Sequence, residues 1–263
     1  MRRIIAFAAC LILFSPLSAR TAFPLNLDRL DDGEMEFRQS VMRRLVPLAD
    51  RRKQEGTAPL ITFEELYAGL SQREVEFLEQ FRRVDPAEVG GSSRRLPAPA
   101  AGAEFVRLED QPILRDGKRI RLDTQYLPRS AHEAYRRMMA AMEEDLGKRL
   151  LVESGYRSPA YQLYLFLYYM PKHGHSVRET NRHVALPGCS EHGSPDFQAI
   201  DFITPEGVNG EDRPEEFEEL QEYGWLQARA QEFGFRLSYP RPSASSGQAA
   251  SAFEPWHWHW EEN

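Results

Sequence analysis

Apolar residues recur at helical spacing through DRLDDGEMEFRQSVMRRLVPLAD, residues 28–50, and predict a helix there. TFEE at Thr62–Glu65 and SQRE at Ser71–Glu74 each place a hydroxyl three residues before a glutamate. That is the capping-box pattern, so two short consecutive helices are expected, with Val75, Leu78 and Phe81 on one face of the second. VGGSSRRLPAPAAGA, Val89 to Ala103, has no apolar periodicity and reads as a linker or long surface loop.

The pattern then changes. PILRDGKRIRLD carries Asp116-Gly117, the mark of a tight hairpin turn. SAHE, Ser130–Glu133, is expected to cap a helix that runs through AYRRMMAAMEEDL and stops at Gly147. RLLVESGYRS reads as a strand entering a loop. Ser158 and Pro159 then suit the cap and first position of an aromatic-rich helix. GFRLSYP and FEPWHWHW read as two late strands, separated by the low-complexity stretch RPSASSGQAASA. The fold class expected is α+β. A mostly helical region over 23–103 precedes a domain over 104–263, in which a small antiparallel sheet with flanking helices holds the chemistry.

The first residues bear on compartment. MRR is a basic start, IIAFAACLILF an apolar run too short to span a bilayer comfortably, and SPLSA and RTA offer small residues for cleavage. Residues 1–22 therefore read as a secretory signal peptide, cut after Ala19 or Ala22, which places the protein in the periplasm or outside the cell. No stable membrane insertion is expected after cleavage. The net charge of -7 argues against general nucleic-acid binding and against adhesion to anionic membranes. Of the two cysteines only Cys189 lies beyond the leader, so no intramolecular disulfide is expected.

Candidate chemistry concentrates in CSEHGSPDFQAIDF, Cys189 to Phe202. Asp201 stands among Ala199, Ile200 and Phe202, and a carboxylate in an apolar strand needs a partner. A metal cation would neutralise it, with His192 as a second ligand. A catalytic zinc needs three protein ligands and a carboxylate beside its water. EPWHWHW supplies Glu254 as base and His257 as third ligand, with His259 equally placed on spacing alone. Positions 254 and 257 would face opposite sides of an ideal strand. Pro255 favours a strand start, so Glu254 is expected in a bend before the strand. Asp196 is the rival to Asp201, and a Cys189/His192 nucleophile is the rival to a metal site. His173, His175 and His183 read as loop residues.

At these residues the chain resembles a known family. SGYRSPAYQ, SEHGSPDFQAID and EPWH are similar, in order, to three signatures of the zinc D-alanyl-D-alanine carboxypeptidases of the VanY type. That family belongs with the lysostaphin-like peptidases and the hedgehog signalling domain. The resemblance covers about residues 120–260. It implies Zn2+ as cofactor, held by His192, Asp201 and His257, with Glu254 as catalytic base. It implies that Arg157 binds substrate and polarises the scissile carbonyl, and that Tyr156, Gln162 and Ser190 line the substrate site. The substrate implied is a peptidoglycan stem peptide that loses its terminal D-alanine. A peptidoglycan endopeptidase, a tetrapeptide carboxypeptidase and a non-catalytic zinc-containing wall-binding module are the alternatives. Two departures stand out: His192 and Asp201 are nine positions apart where the family usually has seven, and an Ala/Ser-rich loop at 243–252 precedes the base.

Overall fold

The computed structural model describes residues 25–90, 94–97, 99, 102–241 and 253–261. The expected leader at 1–22 and the loop at 243–252 lie outside the described residues. Helix α1 (Asp32–Gln54) is capped by Asp31, whose carboxylate accepts from Glu34 N. Helices α2 (Phe63–Tyr67) and α3 (Gln72–Arg83) start at the two expected capping boxes, on Thr62 and Ser71, each with both reciprocal bonds made. In α3 the buried apolar residues are Phe77, Leu78 and Phe81, while Val75 is only partly covered.

Two short antiparallel pairs follow. Strand β1 (Phe105–Leu108) pairs with β4 (Gln125–Pro128), and β2 (Pro112–Arg115) with β3 (Lys118–Arg121). The β2–β3 turn has positive φ at both Asp116 (52°) and Gly117 (72°), the conformation an Asp-Gly hairpin turn requires. Helix α4 (Arg129–Leu146) ends at Gly147 in the left-handed conformation, as expected. Its start differs. Pro128 occupies the cap position, no side chain caps the helix, and Ser130 is already inside it. Strand β4 is held in register against β1 as far as Pro128, so the chain enters the helix directly from the sheet.

Strand β5 (Leu151–Ser154) leads through a loop into α5 (Pro159–Tyr169), where Ser158 Oγ accepts from Tyr161 N as expected. Helix α6 (Val177–Asn181), strand β6 (Phe197–Ile203), helices α7 (Pro214–Glu218) and α8 (Gln221–Arg229), and strands β7 (Phe235–Leu237) and β8 (His257–Glu261) complete the chain. The main sheet has four antiparallel strands in the order β5-β6-β8-β7. The structure is thus α+β with small antiparallel sheets and flanking helices. Among the described residues no helix is long and apolar enough to cross a membrane.

Two large hydrophobic cores, with a small third cluster of Ile113, Leu151 and Ile203, organise these elements. One lies on one face of the main sheet. Ile200 and Phe202 of β6, Trp258 and Trp260 of β8 and Phe235 of β7 pack there with α4 and α8. The other core joins α1, α2 and α3 to α5 through Leu45, Leu78, Phe81, Phe166 and Leu167. The N-terminal helices therefore share their core with α5. Ser158 N donates to Pro59 O at 2.8 Å and Tyr126 Oη to Gly56 O at 2.9 Å, which fastens the N-terminal segment to the start of α5 and to β4. Part of the expected linker is also docked, since Leu96 N donates to Gly188 O at 2.9 Å.

Candidate metal centre

Side chains alternate along a strand, so burying Ile200 and Phe202 turns Ala199 and Asp201 to the other face of β6. Burying Trp258 and Trp260 turns His257 and His259 to that same face of β8. The register then does the rest. Asp201 pairs directly with His257, and Ala199 with His259. Side chains directly opposite each other on one face are close neighbours. Asp201 Oδ1 lies 2.8 Å from His257 Nδ1.

His192 comes from a different element, the 3-10 turn Glu191–Gly193 that precedes β6. Its Nδ1 lies 2.8 Å from the carbonyl of Gly155. A carbonyl only accepts, so Nδ1 carries the proton and Nε2 keeps its lone pair. Nε2 is buried without a hydrogen-bond partner, 3.2 Å from Asp201 Oδ2. Gly155 must be glycine for this approach, because a Cβ there would lie 2.4 Å from Tyr126 O. His192, Asp201 and His257 each offer an atom within 4.8 Å of the others, and among the described residues they form the one such group.

The electrostatics call for a cation at the centre. Burial and the nearby Arg157 push His192 down to about 4, so its ring is neutral and able to ligate. Burial alone would lower His257, but Asp201 and Glu191 override it and hold its pKa at about 10. Burial opposes charge on Asp201, yet the two histidines keep it well below the usual carboxylate range. The lone pair of His192 Nε2, the Nδ1 of His257 and the Asp201 carboxylate all converge without a donor of their own beyond a proton on His257. Two imidazoles and a carboxylate are the N and O donors that zinc accepts, and the orphaned Nε2 is the buried atom it would satisfy. The residues present therefore fit a metal ion.

Glu254 lies in a turn before β8, as expected. Its backbone N donates to Tyr239 O and its carbonyl accepts from His257 N, both at 3.2 Å. Its carboxylate Oε2 is 3.9 Å from His257 Nδ1, beside the donor set and outside it. Burial, opposed by His257 and helped by repulsion from Asp201 and Glu191, raises it to about 7, the range a general base needs. Arg157 follows β5, where its backbone N donates to His192 O at 2.9 Å. Its Nε is buried and unpartnered, so the guanidinium is not committed to a surface ion pair among the described residues. Arg157 also lines a cavity of about 170 Å³ with Ser154, Glu153, Asp123, Pro59 and Gly56.

The other residues expected to line the substrate site are all buried. Tyr156 is buried and packs on Phe105, with ring centroids 4.2 Å apart. Gln162 is buried in α5 and donates from Nε2 to Ala185 O at 2.8 Å, leaving its Oε1 unpartnered. Ser190 is buried, and its carbonyl accepts from Gly193 N in the turn that carries His192. Asp196 is exposed in the turn before β6, while Asp201 is the carboxylate that meets His192 and His257. Cys189 is packed into the helical core and burial raises its thiol pKa, which leaves no nucleophile beside His192. His173 and His183 stack on each other at 4.5 Å, away from the centre. Glu191, Ser238 and Tyr239 also border the site and carried no sequence signal of their own. Glu191 adjoins His192 in the chain, but a 3-10 turn has no simple facing rule to aim it at His257.

The geometry defines a class: a His–Asp–His metal centre with an adjacent carboxylate, built on a small antiparallel sheet, as in metal-dependent hydrolases. Residues 124–263 match the family described as VanY, D-alanyl-D-alanine carboxypeptidase, and the chain belongs to that family of peptidases. No curated protein matches the chain. Among solved structures, the LdcB LD-carboxypeptidase is 25% identical, with a TM-score of 0.44 and coverage of 59% of this chain and 67% of that one. A mutant of the vancomycin resistance D,D-pentapeptidase VanY, from a VanB-type cassette and in complex with Zn(II), is 22% identical, with a TM-score of 0.43 and coverage of 66% and 88%. An L,D-carboxypeptidase DacB from Streptococcus pneumonia is 24% identical, with a TM-score of 0.37 and coverage of 60% and 85%.

Proposed function

We propose that this protein is a zinc carboxypeptidase of the periplasm or cell exterior that removes the terminal D-alanine from peptidoglycan stem peptides. The observation that carries this reading is the convergence of His192, Asp201 and His257, with Glu254 beside them, in a chain of the VanY family. Residues 1–22, read as a leader, support export to where such peptides occur.

Zinc held by the three residues would supply Lewis acidity and make water nucleophilic near neutral pH. Glu254 takes the proton of the attacking water and passes it to the leaving amine. Its raised pKa suits both halves of that transfer. Arg157, whose backbone is bonded to His192 and whose charge bears on that ring, would bind the peptide and hold the oxyanion that develops on the carbonyl. His192 stays neutral because burial and the nearby Arg157 disfavour its charged form, and the Gly155 carbonyl fixes which nitrogen keeps the proton.

The test is mass spectrometry of a muramyl pentapeptide ending in D-Ala-D-Ala, incubated with the protein with and without a zinc chelator. Loss of one alanine, abolished by chelation and restored by zinc, is the expected result. An uncut pentapeptide with zinc-loaded protein would overturn the substrate assignment, and a cut that survives chelation would overturn the metal.

A further inference from the structure

His257 has two ring nitrogens, and only one can serve the metal. Nδ1 faces Asp201 Oδ1 at 2.8 Å, inside the donor set. Nε2 points the other way, to Glu191 Oε2 at 3.1 Å. That same oxygen accepts from Ser238 Oγ at 2.7 Å. Ser238 has one proton and gives it to the carboxylate, which can only accept. His259 Nδ1, 2.8 Å from Ser238 Oγ, must then be the donor to that hydroxyl. The protons therefore run in one direction, from His259 to Ser238 and from Ser238 to Glu191, while His257 donates to the same carboxylate from its other side.

We propose that Glu191 is a positioning residue for the metal centre: backed by Ser238 and His259, it holds the His257 ring in the tautomer that leaves Nδ1 free to bind the metal. This rests on the metal site proposed above. A ligating histidine whose second nitrogen donates to a carboxylate is fixed in tautomer and orientation and is a more basic ligand. The arrangement also assigns the second histidine of HWH. His259 sits behind Ser238 and is turned away from the donor set, with its ring stacked on Phe197 at 3.9 Å. The contact joins three separate parts of the chain: the turn before β6, the segment after β7, and β8.

The experiment measures zinc affinity by chelator competition on the parent protein and on Glu191→Gln, Glu191→Ala and Ser238→Ala, with thermal unfolding run alongside. Glu191→Ala is expected to weaken zinc about 10- to 100-fold, with Glu191→Gln at the lower end because it keeps an acceptor but loses the charge. Ser238→Ala is expected to weaken it by a smaller factor. A second readout separates positioning from mere packing. In zinc-loaded protein labelled with 15N-histidine, His257 is expected to show a metal-bound Nδ1 and a protonated Nε2. Its hydrogen-bonded Nε2 proton is expected to move or vanish in Glu191→Gln, the isosteric variant that keeps the test sound if Glu191→Ala fails to fold. Parent-like zinc affinity in folded Glu191→Gln and Ser238→Ala, or a His257 bound through Nε2, would overturn the proposal and leave the metal site standing. A parent that binds no zinc would overturn both.

Discussion

Gly155→Ala is a one-methyl change that reaches His192, a proposed metal ligand, through the backbone. An alanine Cβ at this position would lie 2.4 Å from Tyr126 O and 3.1 Å from Leu127 Cδ2. Tyr126 O belongs to β4 and already accepts from Tyr156 N at 2.7 Å, so it cannot turn aside as a flexible side chain would. Relief to 3.0 Å needs the two backbones to part by about 0.6 Å. The carbonyl of Gly155 moves with its chain, and a shift of that size is enough to take its 2.8 Å bond to His192 Nδ1 beyond the normal range. Overpacking of this kind costs about 1–3 kcal/mol. In a chain of this size each kcal/mol lowers the melting temperature by about 2–4 °C. Loosening the partner of a metal-binding histidine is expected to weaken zinc about 10-fold. The assay is thermal unfolding without metal, then chelator competition with zinc. Gly224→Ala is the control. Gly224 lies in α8 with nothing within 4 Å of its added Cβ, so the alanine should stabilise by about 0.4–1 kcal/mol. A Gly155→Ala protein with parent melting temperature and zinc affinity would refute the claim that this glycine sets the His192 tautomer.

Three further outcomes follow from the same site. Glu254→Gln keeps the shape of the side chain and removes its basicity, so kcat should fall about 10²- to 10⁴-fold while bound zinc per protein stays the same. Undiminished hydrolysis would remove Glu254 from the mechanism. Arg157→Lys keeps the charge but not the planar fork, and kcat/KM should fall about 10²-fold with zinc affinity unchanged. A parallel loss of zinc would show that Arg157 acts on the metal centre itself. The last concerns pH. Burial raises Glu153 to about 7, although Asn209 donates to it at 3.0 Å. Its folded pKa lies above its unfolded value, so its contribution to stability is full below about pH 4.3 and is lost as pH rises through 7. In chelator, Glu153→Gln should therefore flatten the decline of melting temperature with pH over that window. An identical slope in parent and variant would contradict the raised pKa.

Much of the local structure was legible because it depends on neighbours in sequence. The capping boxes at Thr62 and Ser71, the Ser158-Pro159 helix start, the Asp116-Gly117 turn and the Gly147 stop are all short-range bonding patterns. Ser130 shows the limit of that rule. SAHE fits the capping pattern as well as the others do, yet the pairing of β4 with β1 fixes where the strand ends and carries the chain past Ser130. The expected bend at Glu254 followed from Pro255, again a local restriction. The shared core of α1, α2, α3 and α5 was not legible, because an apolar helix face shows that it will be buried and not against what.

The chain by itself determined the donor types at the centre and the faces they occupy. The alternation in QAIDF and HWHW sends Ile200, Phe202, Trp258 and Trp260 into the core and leaves Asp201 and His257 together on the opposite face. Only the tertiary structure decided that Asp201 stands opposite His257, that Gly155 selects the ring nitrogen of His192, and that Glu191 reaches His257 from 66 residues away. A period of two specifies which side of a sheet a residue takes. Strand register and the meeting of distant loops come instead from packing summed over the whole chain, which no short stretch contains.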